Sequence, residues 1–446
     1  MTVYPSRTEF HSEVEALPSP AYTRYLLVIL LILYTLNFVD RQIINILAEP
    51  IKQDLKLSDT ELGLLTGFSF AIFYSLFGIP LARIADRGHR PRMIAIALAC
   101  WSGFTVLCGM VASYWQLLLM RMGVAVGEAG LSPAAFSLIF DSVPPEKRSS
   151  SVAFYQLGIP LGSLVGLALG GVLAAHYGWR VAFVVAGLPG LLLSVLVILT
   201  LREPRHEPAF RKLQQASRAT LRETIVFLSR KPSFWFLSLA AGLRAFVIYG
   251  QGPFLGSFLY RVHGDQVAQI AASWGVPPTA FVGVALGIII GVTGAIGTFV
   301  GGYVGDRLAA RDVRGYASFP ALSTLAAVPL FITAFLANDL VVVIALLFVG
   351  NTIGTMYMAP VHAAVLSLPT ATMRGTTSAL LLLVISLIGL GLGPLTTGII
   401  SDVVNHNGFG PAEGIRWALI ITGLAGFAVA ALFWAARAHI ARDLEV

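Results

Sequence analysis

The chain has 446 residues, 56% of them hydrophobic and only 12% charged, with a mean hydropathy of +0.79. A soluble domain carries about 25% charged residues, so a chain this long and this poor in charge has lipid as its solvent over most of its perimeter. The balance is basic, +7 at pH 7, but the Lys and Arg sit in short loops between apolar spans, which argues against nucleic acid as a partner. Cys100 and Cys108 share one apolar span and lie about 12 Å apart in helical rise, beyond disulfide reach. No metal-ligand pattern occurs, and no cofactor is expected.

Hydropathy and loop punctuation predict an all-α integral membrane protein of twelve spans, each meeting the roughly 20 residues that cross a bilayer. A polar N-terminal tail, 1–24, has no cleavable-signal pattern. Six spans follow at roughly 25–48, 61–83, 93–112, 115–140, 149–175 and 180–201. An Arg-rich linker, 202–232, separates them from six more at roughly 233–260, 281–304, 317–337, 340–366, 375–400 and 416–436, before a tail at 437–446. Residues 261–280, with Gly275 and Pro277-Pro278, read as a loop. Of the 30 Lys and Arg, only Lys52, Lys56, Arg180, Arg261 and Arg416 fall in predicted outer loops, and Arg41, Arg121 and Arg244 fall inside spans. The rest lie on the other side, which places both termini and the linker in the cytoplasm.

The two halves resemble each other. Ala82 to Arg90, with Asp86 and Arg87, recurs 220 residues later as Gly302 to Arg311, with Asp306 and Arg307. Arg148 followed by three serines recurs as Arg374-Gly375-Thr376-Thr377. The duplication predicts two six-helix bundles, 25–201 and 233–436, related by a pseudo-two-fold axis with a site between them. These loops resemble the signature loop of the major facilitator superfamily, with Ala82 and His89 replacing its usual glycines in the first copy. Asn37-Phe38-Val39-Asp40-Arg41, Arg121 with Gly127-Glu128-Ala129, and Gly158 with Pro160-Leu161-Gly162-Ser163 together resemble the Spinster family. That resemblance implies a proton-linked secondary transporter of lysolipids, sphingoid phosphates or related amphiphiles, and no enzyme. It implies a helix-clasping, conformational role for Asp86, Arg87, Arg90, Asp306, Arg307 and Arg311. The Gly158–Gly162 segment resembles an exporter-type motif; close helix packing explains it equally well.

Ionisable groups inside spans are costly and are functional candidates by default. Helical rise puts Asp40, Arg41 and Arg121 at one level, and Glu128 about 10.5 Å deeper on the face of Arg121. Arg244 enters to about the depth of Glu128. The expectation is an outer cluster (Asp40, Arg41, Arg121) and a midplane pair (Glu128, Arg244) facing across the halves. Asp40 and Glu128 are the proton-carrier candidates, because a low dielectric favours the neutral carboxyl while a nearby Arg favours the ion; a static helix-fastening ion pair is the alternative. Arg121 and Arg244 suit an anionic headgroup or the neutralising of a neighbour; Arg41 does so or snorkels to the interface. Tyr249 on span seven and Asn351 on span ten are candidate substrate contacts, and His362 reads as structural. Protonating both carboxylates leaves three uncompensated Arg, which favours an anionic ligand and symport; the span-five motif points instead to export. Small organic anions and drug-like amphiphiles remain alternative cargoes. The partners expected are a small amphipathic anion, protons and the bilayer, for a monomer in a bacterial inner membrane.

Overall fold

The computed structural model describes residues 18–144, 147–204, 221–370 and 373–444. The middle of the predicted linker and most of the N-terminal tail lie outside the described residues. Ten helices among the described residues are long and apolar enough to cross a membrane. In chain order they are α1 (Pro20–Leu55), α2 (Asp59–Ala85), α3 (Arg90–Cys108), α4 (Tyr114–Ser142) and α5 (Ser150–Thr200). After a short helix α6 (Leu221–Ser229) come α7 (Pro232–Ser273), α8 (Pro278–Arg311), α9 (Gly315–Leu336), α10 (Leu340–Ser367) and α11 (Arg374–Leu444).

Local chemistry sets the ends. Pro20 opens α1 behind a Ser19 cap, and α1 stops where Lys56 turns left-handed at φ 55°. Ser58 and Glu61 form a reciprocal capping box at the start of α2. α5 has 51 residues, about 75 Å of rise against a hydrocarbon core of about 30 Å, and it is folded back on itself. The break is Gly178, at φ 81° and ψ 165°, a conformation open to glycine alone. The second limb returns far enough for Thr200 Oγ1 to meet Tyr25 OH at 2.5 Å. α11 reverses likewise at Gly408 and Gly410, at φ 90° and 81°, and its end docks on the start of α7, where Asp443 accepts the Ser233 amide. Residues 437–444, left as a tail by the sequence, are therefore helical. So are 261–273, read there as a loop: the helix kinks at His263 and runs on, and Gln266 ties the extension to Asn338 and Leu340.

Glycines decide which helices meet. Gly158, Gly162, Gly166 and Gly170 repeat every four residues along one face of α5, and each is pressed against α1 between Tyr34 and Ile46. Gly283, Gly287 and Gly291 do the same on α8, against carbonyls of α5 at Leu167, Leu164 and Pro160. Such close approach is how membrane helices gain packing energy without a hydrophobic drive. Large apolar side chains face outward instead: Leu192, Leu199 and Phe299 are 75%, 76% and 79% exposed, which only a lipid surround makes favourable.

Three spans widen into π-helical turns: Leu64–Phe68 in α2, Ile288–Val292 in α8 and Ile385–Leu392 in α11. The first two occupy matching places in the sequence repeat. Each contributes a residue (Thr66, Ile290 and Leu390) to the wall of one central cavity, in line with the tendency of such turns to mark functional sites.

Candidate functional site

That cavity, of about 100 Å³, is bounded by both halves of the chain. α1 supplies Phe38, Arg41, Gln42 and Asn45, which fall on one helical stripe at intervals of three and four. Arg121 of α4 enters from the same half. Arg244, Tyr249 and Gln251 of α7, with Phe331 of α9 and Asn351 of α10, close the opposite wall.

The in-span charges divide unequally. Arg41 Nε donates to Glu128 Oε2 at 2.5 Å; the Glu128 side chain is fully buried and that of Arg41 keeps 19% exposure. Three rings surround the Arg41 guanidinium, Tyr74 at 4.7 Å, Phe70 at 5.2 Å and Phe38 at 5.4 Å, so cation–π attraction holds it in place. Arg121 also lies over Phe70, at 5.1 Å. Its Nη1 reaches the backbone carbonyl of Asp40 at 3.5 Å, not the carboxylate. Asp40 Oδ1, Glu128 Oε1, Asn37 Nδ2 and Arg121 Nε are buried with no hydrogen-bond partner among the described residues. Two carboxylates thus stand close to two guanidiniums with unused bonding capacity.

Arg244 is a correction to the sequence reading. It makes no pair with Glu128; its Nε and Nη2 both donate to the Gly354 carbonyl, at 3.2 and 3.0 Å. The repeat explains this. Gly354 is the counterpart of Glu128, so the second half has an arginine on its first helix and only a backbone oxygen where the first half has a carboxylate. A Cβ at position 354 would lie 2.3 Å from Arg244 Nη2, so the glycine also makes room for the guanidinium. Among the described residues no carboxylate pairs with Arg244.

The other candidates are placed as follows. Asn351 Nδ2 donates to Ile289 O and Thr293 Oγ1, at 2.9 and 2.7 Å, which ties α10 to the widened turn of α8. Tyr249 lines the cavity. His362 Nδ1 is bonded to Met358 O. Arg90 is buried in its own half, bonded to Glu203, Asp141 and Ser137. Asp306 accepts from Tyr316 OH of the neighbouring helix α9 at 3.3 Å, and Arg307 lies over Tyr303 of its own helix at 4.2 Å. Arg311 is exposed, and the side chains of Asp86 and Arg87 lie outside the described residues. The sequence reading missed Gln42 and Asn45, whose stripe with Arg41 was the available signal. It also counted Arg261 as a plain loop charge, whereas Arg261 pairs with Glu49 and Asp59.

This geometry defines a multi-pass helical membrane protein built around a cationic central cavity. A family profile of the Major Facilitator Superfamily matches residues 30–394. An MFS-type efflux pump of Mycolicibacterium smegmatis is 35% identical over 416 residues, 93% of each chain. Protein spinster homolog 1 of Xenopus tropicalis is 26% identical over 448 residues, 97% of this chain and 84% of its own. The crystal structure of a bacterial homolog to the human lysosomal transporter Spinster, inward-facing and unoccupied, superposes with a TM-score of 0.83 at 32% identity, covering 96% of this chain and 99% of that one. The chain belongs to the major facilitator superfamily and is a Spinster-like transporter.

Proposed function

We propose that the chain is a proton-coupled carrier of an amphipathic anion, of the lysophospholipid or sphingoid-phosphate type that the Spinster resemblance implies. It works by alternating access, with twelve spans in two six-helix bundles (25–201 and 233–436), the linker between them, and both termini cytoplasmic in a bacterial inner membrane. α5 and α11, each folded back at glycine, supply two crossings apiece.

The observation that carries this reading is the charge asymmetry of the cavity. Arg41 is neutralised by Glu128, while Arg244 faces it with only the Gly354 carbonyl. A proton on Glu128 releases Arg41 from its ion pair, and with Asp40 protonated as well the cavity wall presents Arg41, Arg121 and Arg244 without compensation. Asp40, beside Arg121, is the second proton site. Such a wall recruits an anionic headgroup, for which a guanidinium fork is well shaped. Proton and substrate therefore assist each other's binding, which is the thermodynamics of symport. Phe38, Phe70, Ile248, Leu255 and Leu390 give the same cavity an apolar side. At about 100 Å³ it holds a headgroup but not a tail, since drug-sized ligands need roughly 300 Å³ or more, so the halves must part for the tail. In this reading Tyr249 makes a polar contact with the headgroup, while Asn351, whose amide N–H groups are bonded to Ile289 and Thr293, offers the cavity its carbonyl oxygen.

A second reading, efflux with proton and substrate competing for Arg41, draws on the name of the Mycolicibacterium relative. One experiment separates the two. In proteoliposomes with an internal pH dye, added lysophospholipid or sphingoid phosphate should acidify the lumen as labelled substrate enters; exchange would alkalinise it. Glu128→Gln and Asp40→Asn should each abolish the proton signal. A response to small organic anions but not to lipids would replace the cargo. Equal uptake by all three proteins without proton movement would end the coupling scheme.

A further inference from the structure

We infer that Glu49, Asp59, Arg261 and Asp402 form a latch that holds the bundle shut at the face assigned to the outside, and that its strength sets the inward–outward equilibrium. The inference rests on alternating access alone and requires no particular cargo.

The latch is built across the two halves of the chain. Arg261, on the α7 extension, donates from Nε and Nη2 to Glu49 Oε2 at 3.1 and 2.7 Å. It donates from Nη1 and Nη2 to the two oxygens of Asp59, at 2.8 and 2.9 Å. Asp59 also accepts from Ser401 Oγ at 2.6 Å and from Lys52 Nζ at 2.5 Å. On the other side of Asp59, the Asp402 carboxylate of α11 accepts the amides of Asp59 and Thr60, at 3.1 and 2.8 Å, and the Thr60 hydroxyl at 2.6 Å. Those amides open α2, so a carboxylate from the far half caps its positive end.

The helices meet there backbone to backbone. A Cβ on Gly398 would lie 2.2 Å from Asp59 O, and one on Gly63 would lie 2.3 Å from Pro394 O. Side-chain exposures of 9% for Arg261, 10% for Glu49 and 3% for Asp59 show that water is largely excluded. At the opposite face, Arg90, Asp306 and Lys231 bond within their own halves. The described cross-half hydrogen bonds are thus gathered at one end, the arrangement that a gate closed on one side requires.

The physics makes this latch reversible. Three carboxylates and two cations are costly to desolvate, and their mutual attraction offsets that cost only while every partner is present. When the face opens, each group recovers water, so closed and open states differ by little. Removing Arg261 takes away the ion pairs that cross the halves. Glu49 and Asp59, both of the first half, are then left with only Lys52 to offset them, a cost that hydration on opening relieves.

The test is a spin-label distance measurement on the full chain in lipid nanodiscs, without substrate or pH gradient, in a background lacking Cys100 and Cys108. One label pair, Met110 with Asn407, spans the latched face; the other, Ser150 with Gly375, spans the opposite face. In Arg261→Gln the first distance should lengthen and the second shorten, with a roughly ten- to hundredfold shift in the outward-to-inward ratio. Arg261→Lys should restore much of the original distribution. Asp402→Asn, which removes the charge and keeps only one of the two cap oxygens, should shift the ratio the same way by less, and it carries the test if Arg261→Gln does not fold. Unchanged distances in folded variants, with folding verified by thermal unfolding, would overturn the latch. Because no cargo is present, that failure is distinguishable from failure of the lipid-carrier reading.

Discussion

Replacing Gly162 with leucine should abolish the folded protein, while the same change at Gly294 should leave it folded. A Cβ at Gly162 would lie 2.5 Å from both Phe38 Cβ and Thr35 O. Neither is the end of a flexible chain, so the helices themselves would have to part. Gly158, Gly166 and Gly170 hold the same two helices in contact above and below, so relief at one turn strains the next. Overpacking a tight core costs about 1–3 kcal/mol, and a whole side chain wedged into a helix contact should exceed that range. The displaced helix is also the one that carries Asp40 and Arg41. Gly294 has no atom within 4 Å of its added Cβ, so leucine there tests for any general effect of size. Expression, monodispersity in detergent and thermal unfolding measure both. A Gly162→Leu protein that melts like wild type would mean that α1 and α5 do not approach this closely.

The same stripe shows what was legible in the sequence. Glycines at intervals of four, inside an apolar run, announce a close helix contact, because that spacing keeps them on one face. The loop repeat and the charge asymmetry between loops were equally open to reading, since both are linear properties of the chain. Pairing was not. Helical rise sets Arg41 level with Arg121, and Glu128 about 10.5 Å deeper, yet Arg41 meets Glu128. Rise ignores side-chain reach, and each step along a helix also turns the side chain by about 100°. Adjacent residues such as Asp40 and Arg41 therefore cannot share a partner, and rotation, not depth, gives Glu128 to Arg41 and leaves Arg121 at the Asp40 carbonyl. Arg244 was misassigned for a related reason: matching depth across two halves says nothing of whether a backbone carbonyl is nearer. Arg261 escaped notice because Glu49, Asp59 and Asp402 are remote from it in sequence, and hydropathy sees only an ordinary loop charge.

Removing Arg41 should destabilise the protein more than removing both members of its ion pair. Arg41→Leu leaves Glu128, with no side-chain exposure, as an uncompensated charge, for which about 3–5 kcal/mol is typical. Glu128→Leu should cost less, because Arg41 keeps 19% exposure to the cavity and three aromatic faces. The Arg41→Leu/Glu128→Leu double variant, with no charge left to bury, should recover most of the stability lost in Arg41→Leu, since apolar replacement of a buried pair is often neutral or better. Transport should behave differently. If Glu128 carries the proton and Arg41 receives the anion, restoring stability restores neither chemistry, and the double variant should remain as inactive as each single one. A double-mutant cycle of thermal stability, run beside lipid-driven proton uptake, reads both quantities on the same proteins. Additive losses in stability would show that the two side chains do not interact, and Arg41 would then have no carboxylate from which a proton could free it. Activity recovered together with stability would instead make the pair a fastener between α1 and α4, and the coupling proton would have to be sought at Asp40.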